Sequence, residues 1–154
     1  MSDGRRLLDT NVLVAAVAVG HMHHTPSLAV IETFRPGTGR GSAFAAAHSY
    51  AEAYNTLTRL GPRGPFKLPP VAAALALHEL GATMQLIGLT PGNTIGIVED
   101  FARMGGIGPR LYDSLIGRTA MAAGIDTVIT WNVAHFTSLF PRMRVLTPAR
   151  AVGA

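Results

Sequence analysis

Arg6-Leu7-Leu8-Asp9-Thr10-Asn11-Val12-Leu13-Val14-Ala15-Ala16-Val17 begins as a short apolar run and passes, through one acid, into a longer one. Residues 6–9 read as a short buried strand ending at Asp9. From Asn11 the chain reads as a helix, which Thr10 or Asn11 can cap through a side-chain oxygen. A strand that turns directly into a helix, with a carboxylate at the join, is how a helix-covered sheet begins.

Outward from that segment the alternation continues. Residues 21–25 read as a polar turn, and Pro26 suits the first turn of a second helix to about Phe34. After a glycine-rich loop, residues 42–47 are ambiguous by propensity; their brevity and their glycine-rich entry favour a strand. His48 opens a helix that ends at Gly61. Residues 61–70, with four prolines and two glycines, form an extended loop. The pattern then predicts an apolar helix over 71–80, a strand over 83–89, a helix from Thr90-Pro91 to about Met104 and an amphipathic helix over 110–123. Residues 126–131 carry the strongest strand signal, followed by a short helix over 133–139 and a last strand over 143–146. Strands and helices in alternation predict a three-layer α/β/α domain with a mostly parallel central sheet over residues 1–147, and a loose tail over 148–154. Ligands of such sheets gather at the carboxyl ends of strands, where Asp9 and Asn132 both fall.

The 154 residues suit one domain. Thirteen Lys plus Arg against nine Asp plus Glu give a formal charge of +4, which admits polyanionic partners such as RNA or an acidic protein. Twelve of the thirteen are Arg, beside heavy Ala and Gly use. A GC-rich genome produces the same bias, so the charge permits nucleic acid without arguing for it. The absence of cysteine excludes a disulfide framework and a thiolate metal site, and suits a reducing cytoplasm. No uninterrupted apolar run reaches the ~18 residues of a membrane helix, and an acid follows the start too soon for a signal peptide. The expectation is a cytoplasmic protein without a membrane segment.

The scarce acids are placed unusually. Asp9 lies in Leu-Leu-Asp-Thr-Asn, Glu52 in Tyr-Ala-Glu-Ala-Tyr and Asp113 in Leu-Tyr-Asp-Ser-Leu-Ile. Taken singly, Asp9 reads as an N-cap, Glu52 as a solvent-facing helix charge and Asp113 as an acid placed to suit the helix macrodipole. Taken together, three charges in apolar frames carry a desolvation cost of several kcal/mol unless compensated. A shared divalent cation compensates all three. Mg2+ or Mn2+ takes hard carboxylate oxygens and keeps several waters. A water acidified by such an ion can attack a phosphodiester while the ion screens the phosphate. Without the ion, clustered carboxylates raise one another's pKa.

Other residues carry weaker signals. His21, His23 and His24 resemble a metal-ligand cluster but read as a solvated interhelical turn. His48 suits a polar helix start, with a general-acid role as the alternative. Arg110 and Arg118 flank Asp113 on one helix and are candidate RNA contacts; Arg110, three residues before Asp113, shares its side. Arg142 and Arg144 alternate on the last strand and share a face. Tyr50 and Tyr54 suit the core or a dimer surface. The glycines at 105, 106 and 108 lack the spacing of a dinucleotide fingerprint, Lys67 lies in a proline-rich loop rather than a Walker motif, and no Gly-x-Ser-x-Gly elbow occurs.

Leu-Leu-Asp-Thr-Asn-Val-Leu-Val, Ser-Tyr-Ala-Glu-Ala-Tyr-Asn-Thr-Leu-Thr-Arg, Asp-Ser-Leu-Ile-Gly-Arg-Thr-Ala and Val-Ile-Thr-Trp-Asn-Val-Ala-His-Phe, in that order from Leu7 to Phe136, resemble the PIN domain, and within it the VapC-type toxin ribonucleases of bacterial toxin–antitoxin pairs. The resemblance implies a Mg2+- or Mn2+-dependent endoribonuclease, a homodimer, held inactive by a cognate VapB-like antitoxin. It places Asp9, Glu52 and Asp113 at the family's metal-binding acids. Thr10 and Asn11 match the residues after the first acid, and Thr130 the threonine of the closing strand. The family often carries a fourth acid near that strand, at the places that here hold Asn132 and His135. An Asn carbonyl orients a metal-bound water but adds no charge, which counts against a second metal. Asp126, at the other end of the strand, is a poor replacement.

The expectation is therefore hydrolysis of single-stranded or looped RNA, leaving 5′-phosphate and 3′-hydroxyl ends, with Asp9, Glu52, Asp113 and Asn132 as the catalytic set. The alternative is a catalytically weak PIN scaffold that binds RNA or a protein. A metal-dependent phosphatase or DNA nuclease on a similar sheet is the third reading.

Overall fold

A computed structural model describes residues 4–59 and 67–154. Its elements follow the predicted order: β1 Arg5–Leu8, α1 Thr10–Val17, α2 His24–Thr33, β2 Ser42–Ala46, α3 Ala47–Thr58, α4 Pro70–Gly81, β3 Gln85–Ile87, α5 Pro91–Arg103, α6 Arg110–Ala122, β4 Thr127–Ile129, α7 Val133–Leu139, β5 Arg144–Leu146 and α8 Pro148–Val152. The extended loop read over 61–70 falls mainly on residues 60–66, which lie outside the described residues. Pro70, placed at the end of that loop, instead begins α4, where its missing N–H is no loss.

The five strands form one sheet in the order β3-β2-β1-β4-β5, and every pairing is parallel. Alternate residues of the central strands enter opposite cores, as the two-residue period requires. Leu8, Ala43, Ala45 and Ile129 join Val12, Ile31, Leu57 and Leu77 on one face. Leu7, Phe44, Ala46 and Val128 join Ile116, Ala120 and Phe136 on the other. This two-sided burial settles the ambiguity of β2: its alanines give little β propensity, yet four of its five residues are buried. Each buried Leu, Ile or Phe contributes about 1.5–3 kcal/mol relative to exposure.

The carboxyl terminus corrects an expectation. Residues 148–152 are not a loose tail but α8, packed on α2. Thr147 caps it, accepting from the Arg150 N–H at 3.3 Å, and Pro148 occupies the first turn, a start signal of the same kind as Thr90-Pro91 in α5. Ala151 is fully buried in the core shared with α1 and α2. Arg40 donates to the Val152 carbonyl at 3.1 Å, tying the loop before β2 to this helix.

The chain leaves β1 toward β2 and β3 on one side and leaves β4 toward β5 on the other. The winding reverses between β1 and β4, and the carboxyl ends of these two strands flank the crevice this creates.

Candidate active site

Asp9 stands in that crevice. It follows β1 directly and occupies the N-cap position of α1, but its side chain makes no capping hydrogen bond. Its backbone N–H donates to the Ile129 carbonyl at 2.9 Å, which extends the β1–β4 pairing and carries the side chain to the end of β4. There Thr130 donates its hydroxyl to Asp9 Oδ2 at 2.6 Å. The same hydroxyl accepts from Asn11 Nδ2 at 3.2 Å and from the Asn132 backbone N–H at 2.9 Å, so its one donor and two acceptor positions are all used. Asn11 Oδ1 accepts from the Trp131 N–H. Thr10, Asn11, Thr130 and Asn132 thus bind the two strand ends into one polar frame.

Glu52 reaches the crevice from α3. Its Oε2 accepts from the Thr10 hydroxyl at 3.0 Å and lies 3.7 Å from His48 Nε2, one helical turn earlier. Asp113 reaches it from the first turn of α6, with Oδ2 2.6 Å from His135 Nδ1 on α7. Three segments far apart in sequence therefore deliver three carboxylates to one cavity of about 1000 Å3, also lined by Thr10, Asn11, Arg110, Asn132 and His135.

The electrostatics record the crowding. Asp9 is only 3% exposed. Burial pushes its pKa up from 3.8 to about 7; the charges of Asp113 and Glu52 add to this, against the lowering hydrogen bonds from Thr130 and the Thr10 backbone. Glu52 is raised by burial and by Asp113, and lowered by Thr10. Asp113 is raised by burial, and lowered by His135 and Arg110. All three acids thus hold protons more readily than free carboxylates, chiefly through burial, and neighbouring carboxylates add to it at Asp9 and Glu52.

Among the described residues, no three Asp, Glu or His side chains lie close enough to enclose a cation as they stand; each acid is held by its own local donor. The donor set nevertheless fits a hard divalent ion. It offers carboxylate oxygens from three directions, one of them buried in a setting that disfavours its charge, and a bound cation removes that penalty.

The remaining predicted residues divide. Arg110 and Asn132 line the carboxylate cavity. Arg118 does not; it turns toward Asp100 on α5, at 3.7 Å, and lines two neighbouring cavities. Five residues after Asp113, it lies about 140° further round α6, which carries it out of the crevice. Arg142 lines another cavity, and Arg144 starts β5, at the end of the parallel sheet opposite Asp9. The three histidines diverge, as expected of a turn, but are not simply solvated. His24 Nδ1 donates to the Ala15 carbonyl, His23 stacks on Trp131 with centroids 3.8 Å apart, and His21 lines the carboxylate cavity.

Two contacts escaped the sequence reading. The i,i+4 spacing of His48 and Glu52 was available as a signal. The pairing of His135 with Asp113 was not, because it joins two helices.

Residues 6–134 match the model of the PIN domain. The chain belongs to the PIN-domain family. This PIN domain is 34% identical to Ribonuclease VapC40 of Mycobacterium tuberculosis over 116 residues, covering 75% of this chain and 78% of that protein. Its fold is similar to that of VapC20 of Mycobacterium tuberculosis, described as a toxin that cleaves the sarcin–ricin loop, with a TM-score of 0.65 and 14% identity over 86% of this chain and 94% of that one. It is also similar to a chain of VapBC2 from Rickettsia felis bound to promoter DNA, with a TM-score of 0.62 and 16% identity over 93% and 98% of the two chains. The crevice between β1 and β4 is thus the candidate active site of a PIN domain.

Proposed function

We propose that this PIN domain is the toxin of a type II toxin–antitoxin pair, an endoribonuclease that hydrolyses RNA phosphodiester bonds with Mg2+ or Mn2+. The observation that carries this reading is the convergence of Asp9, Glu52 and Asp113 on one cavity, with all three pKa values raised. The name of its 34% identical relative, a ribonuclease, and the occurrence of the fold in VapBC assemblies support it. PIN-domain ribonucleases of the VapC kind depend in general on divalent metal.

Asp9, Glu52 and Asp113 would hold the cation, which when bound supplies Lewis acidity for activating water and screening phosphate charge. The protein's own residues do the rest. The Thr130 hydroxyl fixes the Asp9 carboxylate, and the Thr10 hydroxyl fixes that of Glu52. Asn132 presents an uncharged amide to the cavity, able to orient a water. Arg110, which also lines the cavity, would hold a phosphate. No helix among the described residues is long and apolar enough to cross a membrane; the proposed setting is the cytoplasm, as a homodimer restrained by a VapB-like antitoxin.

The test is cleavage of a structured RNA by the purified protein with Mn2+, with Mg2+ and with EDTA, beside Asp9→Asn. Metal-dependent cleavage that the variant loses is the expected result. Cleavage that survives both EDTA and Asp9→Asn would reject the mechanism. One observation favours the second reading, a weakly active scaffold: Asp113 is already paired with His135. Tight RNA binding without cleavage under any divalent ion would select it.

A further inference from the structure

His135 occupies an odd position for a side chain at a carboxylate site. It is 15% exposed and Asp113 is 22% exposed, and its Nδ1 lies 2.6 Å from Asp113 Oδ2. The amide nitrogen of Asn132 lies 3.3 Å from the same ring nitrogen. A carboxylate oxygen only accepts, so the proton between Nδ1 and Oδ2 belongs to the ring or is shared. Nδ1 then cannot also accept from Asn132, and the 3.3 Å approach is a contact rather than a second bond. The other ring nitrogen, Nε2, is buried with no hydrogen-bond partner. The imidazole is thus held at the cavity wall by one interaction, through a proton, with a carboxylate that faces the proposed cation site.

We propose that His135 is itself a ligand of the cation, through Nδ1, making the centre a mixed carboxylate–imidazole site that discriminates against Mg2+ in favour of first-row transition ions such as Mn2+. The inference rests on the metal-dependent reading above. Neighbouring ligands of a six-coordinate ion with bonds of about 2.1 Å stand roughly 3 Å apart. Nδ1 and Oδ2, separated by 2.6 Å, need to part only slightly for a divalent ion to replace the proton between them. Mg2+ is a hard ion that takes oxygen donors and gives up its water reluctantly, whereas first-row transition ions accept imidazole nitrogen. An acid in place of His135 would add charge and an oxygen donor, favouring Mg2+; the neutral ring removes both. Two other imidazoles stand beside the site, His48, which faces Glu52 at the longer distance of 3.7 Å, and His21, which lines the cavity; a nitrogen signal from either would persist in the His135 variants.

Mn2+ itself is the probe. The full-length protein is titrated with Mn2+ by electron paramagnetic resonance, bound Mn2+ is interrogated by pulsed methods for coupling to 14N, and Mg2+ is used as competitor. The same measurements are made on Asp9→Asn, His135→Ala and His135→Asp, with circular dichroism confirming that each variant folds. The inference expects Asp9-dependent Mn2+ binding with a 14N coupling that both His135 variants lose. It also expects His135→Asp to need roughly tenfold less Mg2+ to displace Mn2+ than the unmodified chain. Asp9-dependent binding with no 14N coupling, or with a coupling that persists in the His135 variants, overturns this inference and leaves the metal-dependent reading standing. Unchanged Mg2+ competition in His135→Asp also overturns the claimed selectivity. Mn2+ binding that is absent, or indifferent to Asp9→Asn, overturns both.

Discussion

Two groups of charges on this protein obey opposite rules. On the outer side of α5 and α6, Arg103 pairs with Asp100 at 3.0 Å and with Glu99 at 3.8 Å, and Arg118 reaches Asp100 at 3.7 Å. Opposite signs lie one helical turn apart or across two packed helices, and Asp100 is 42% exposed. In the crevice between β1 and β4, three like charges face one cavity, and the donors that hold them are chiefly hydroxyls and an imidazole. The first group is what solution electrostatics arranges by itself, and is worth little individually. The second is held together against its own repulsion by the fold, which makes it the candidate site.

The largest effect that would break this contrast is loss of the crevice charges. Asp9→Asn or Glu52→Gln should reduce RNA cleavage by roughly a hundredfold or more, if charge stabilisation there is the main catalytic term, measured as initial rates with Mn2+. Next comes stability in the metal-free protein. The folded pKa of Asp9, about 7, lies above its ordinary 3.8, so the native state holds the extra proton across that window. The folded state is favoured below about pH 4 and progressively loses this advantage as pH rises through about 7, by a total on the order of 4 kcal/mol. Asp9→Asn should therefore flatten the fall in thermal stability across that range and raise Tm at about pH 8. A variant as steeply pH-dependent as the parent would contradict the assignment.

Thr130→Val removes the donor to a buried carboxylate and should cost about 1–3 kcal/mol at neutral pH by denaturant unfolding. It should also push the Asp9 pKa higher still. The smallest effect belongs to the outer group. Arg118→Ala should change stability by no more than about 0.5 kcal/mol and leave cleavage intact. A large loss of cleavage would return Arg118 to the RNA contacts that its orientation takes it out of.

The strand–helix alternation and the placement of acids in apolar frames were legible because each is local: a two-residue or 3.6-residue period, or one charge among hydrophobic neighbours. Thus Asp9, Glu52 and Asp113 were read from residues that touch only in three dimensions, with the family resemblance supplying the pairing. The five-residue spacing of Arg118 from Asp113, about 140° round α6, already set the two on different sides; its partner Asp100 on α5 was not legible, because it depends on how the two helices pack. Nor was the contact of His135 with Asp113, which depends on how α7 seats against α6. The terminal helix was missed for a different reason. Thr147-Pro148 is a start signal as good as Thr90-Pro91, but five residues are too few to show a period, and only α2 beneath them makes Ala151 a core residue.

The hydroxyl that anchors Asp9 comes from a residue 121 positions later in the chain, just past the end of a strand that pairs directly with the first. A contact that spans so much of the polypeptide carries a large loop-closure cost. During synthesis, the amino-terminal acid emerges long before its anchoring threonine exists. An incomplete product still on the ribosome therefore carries the acid without the frame that positions it.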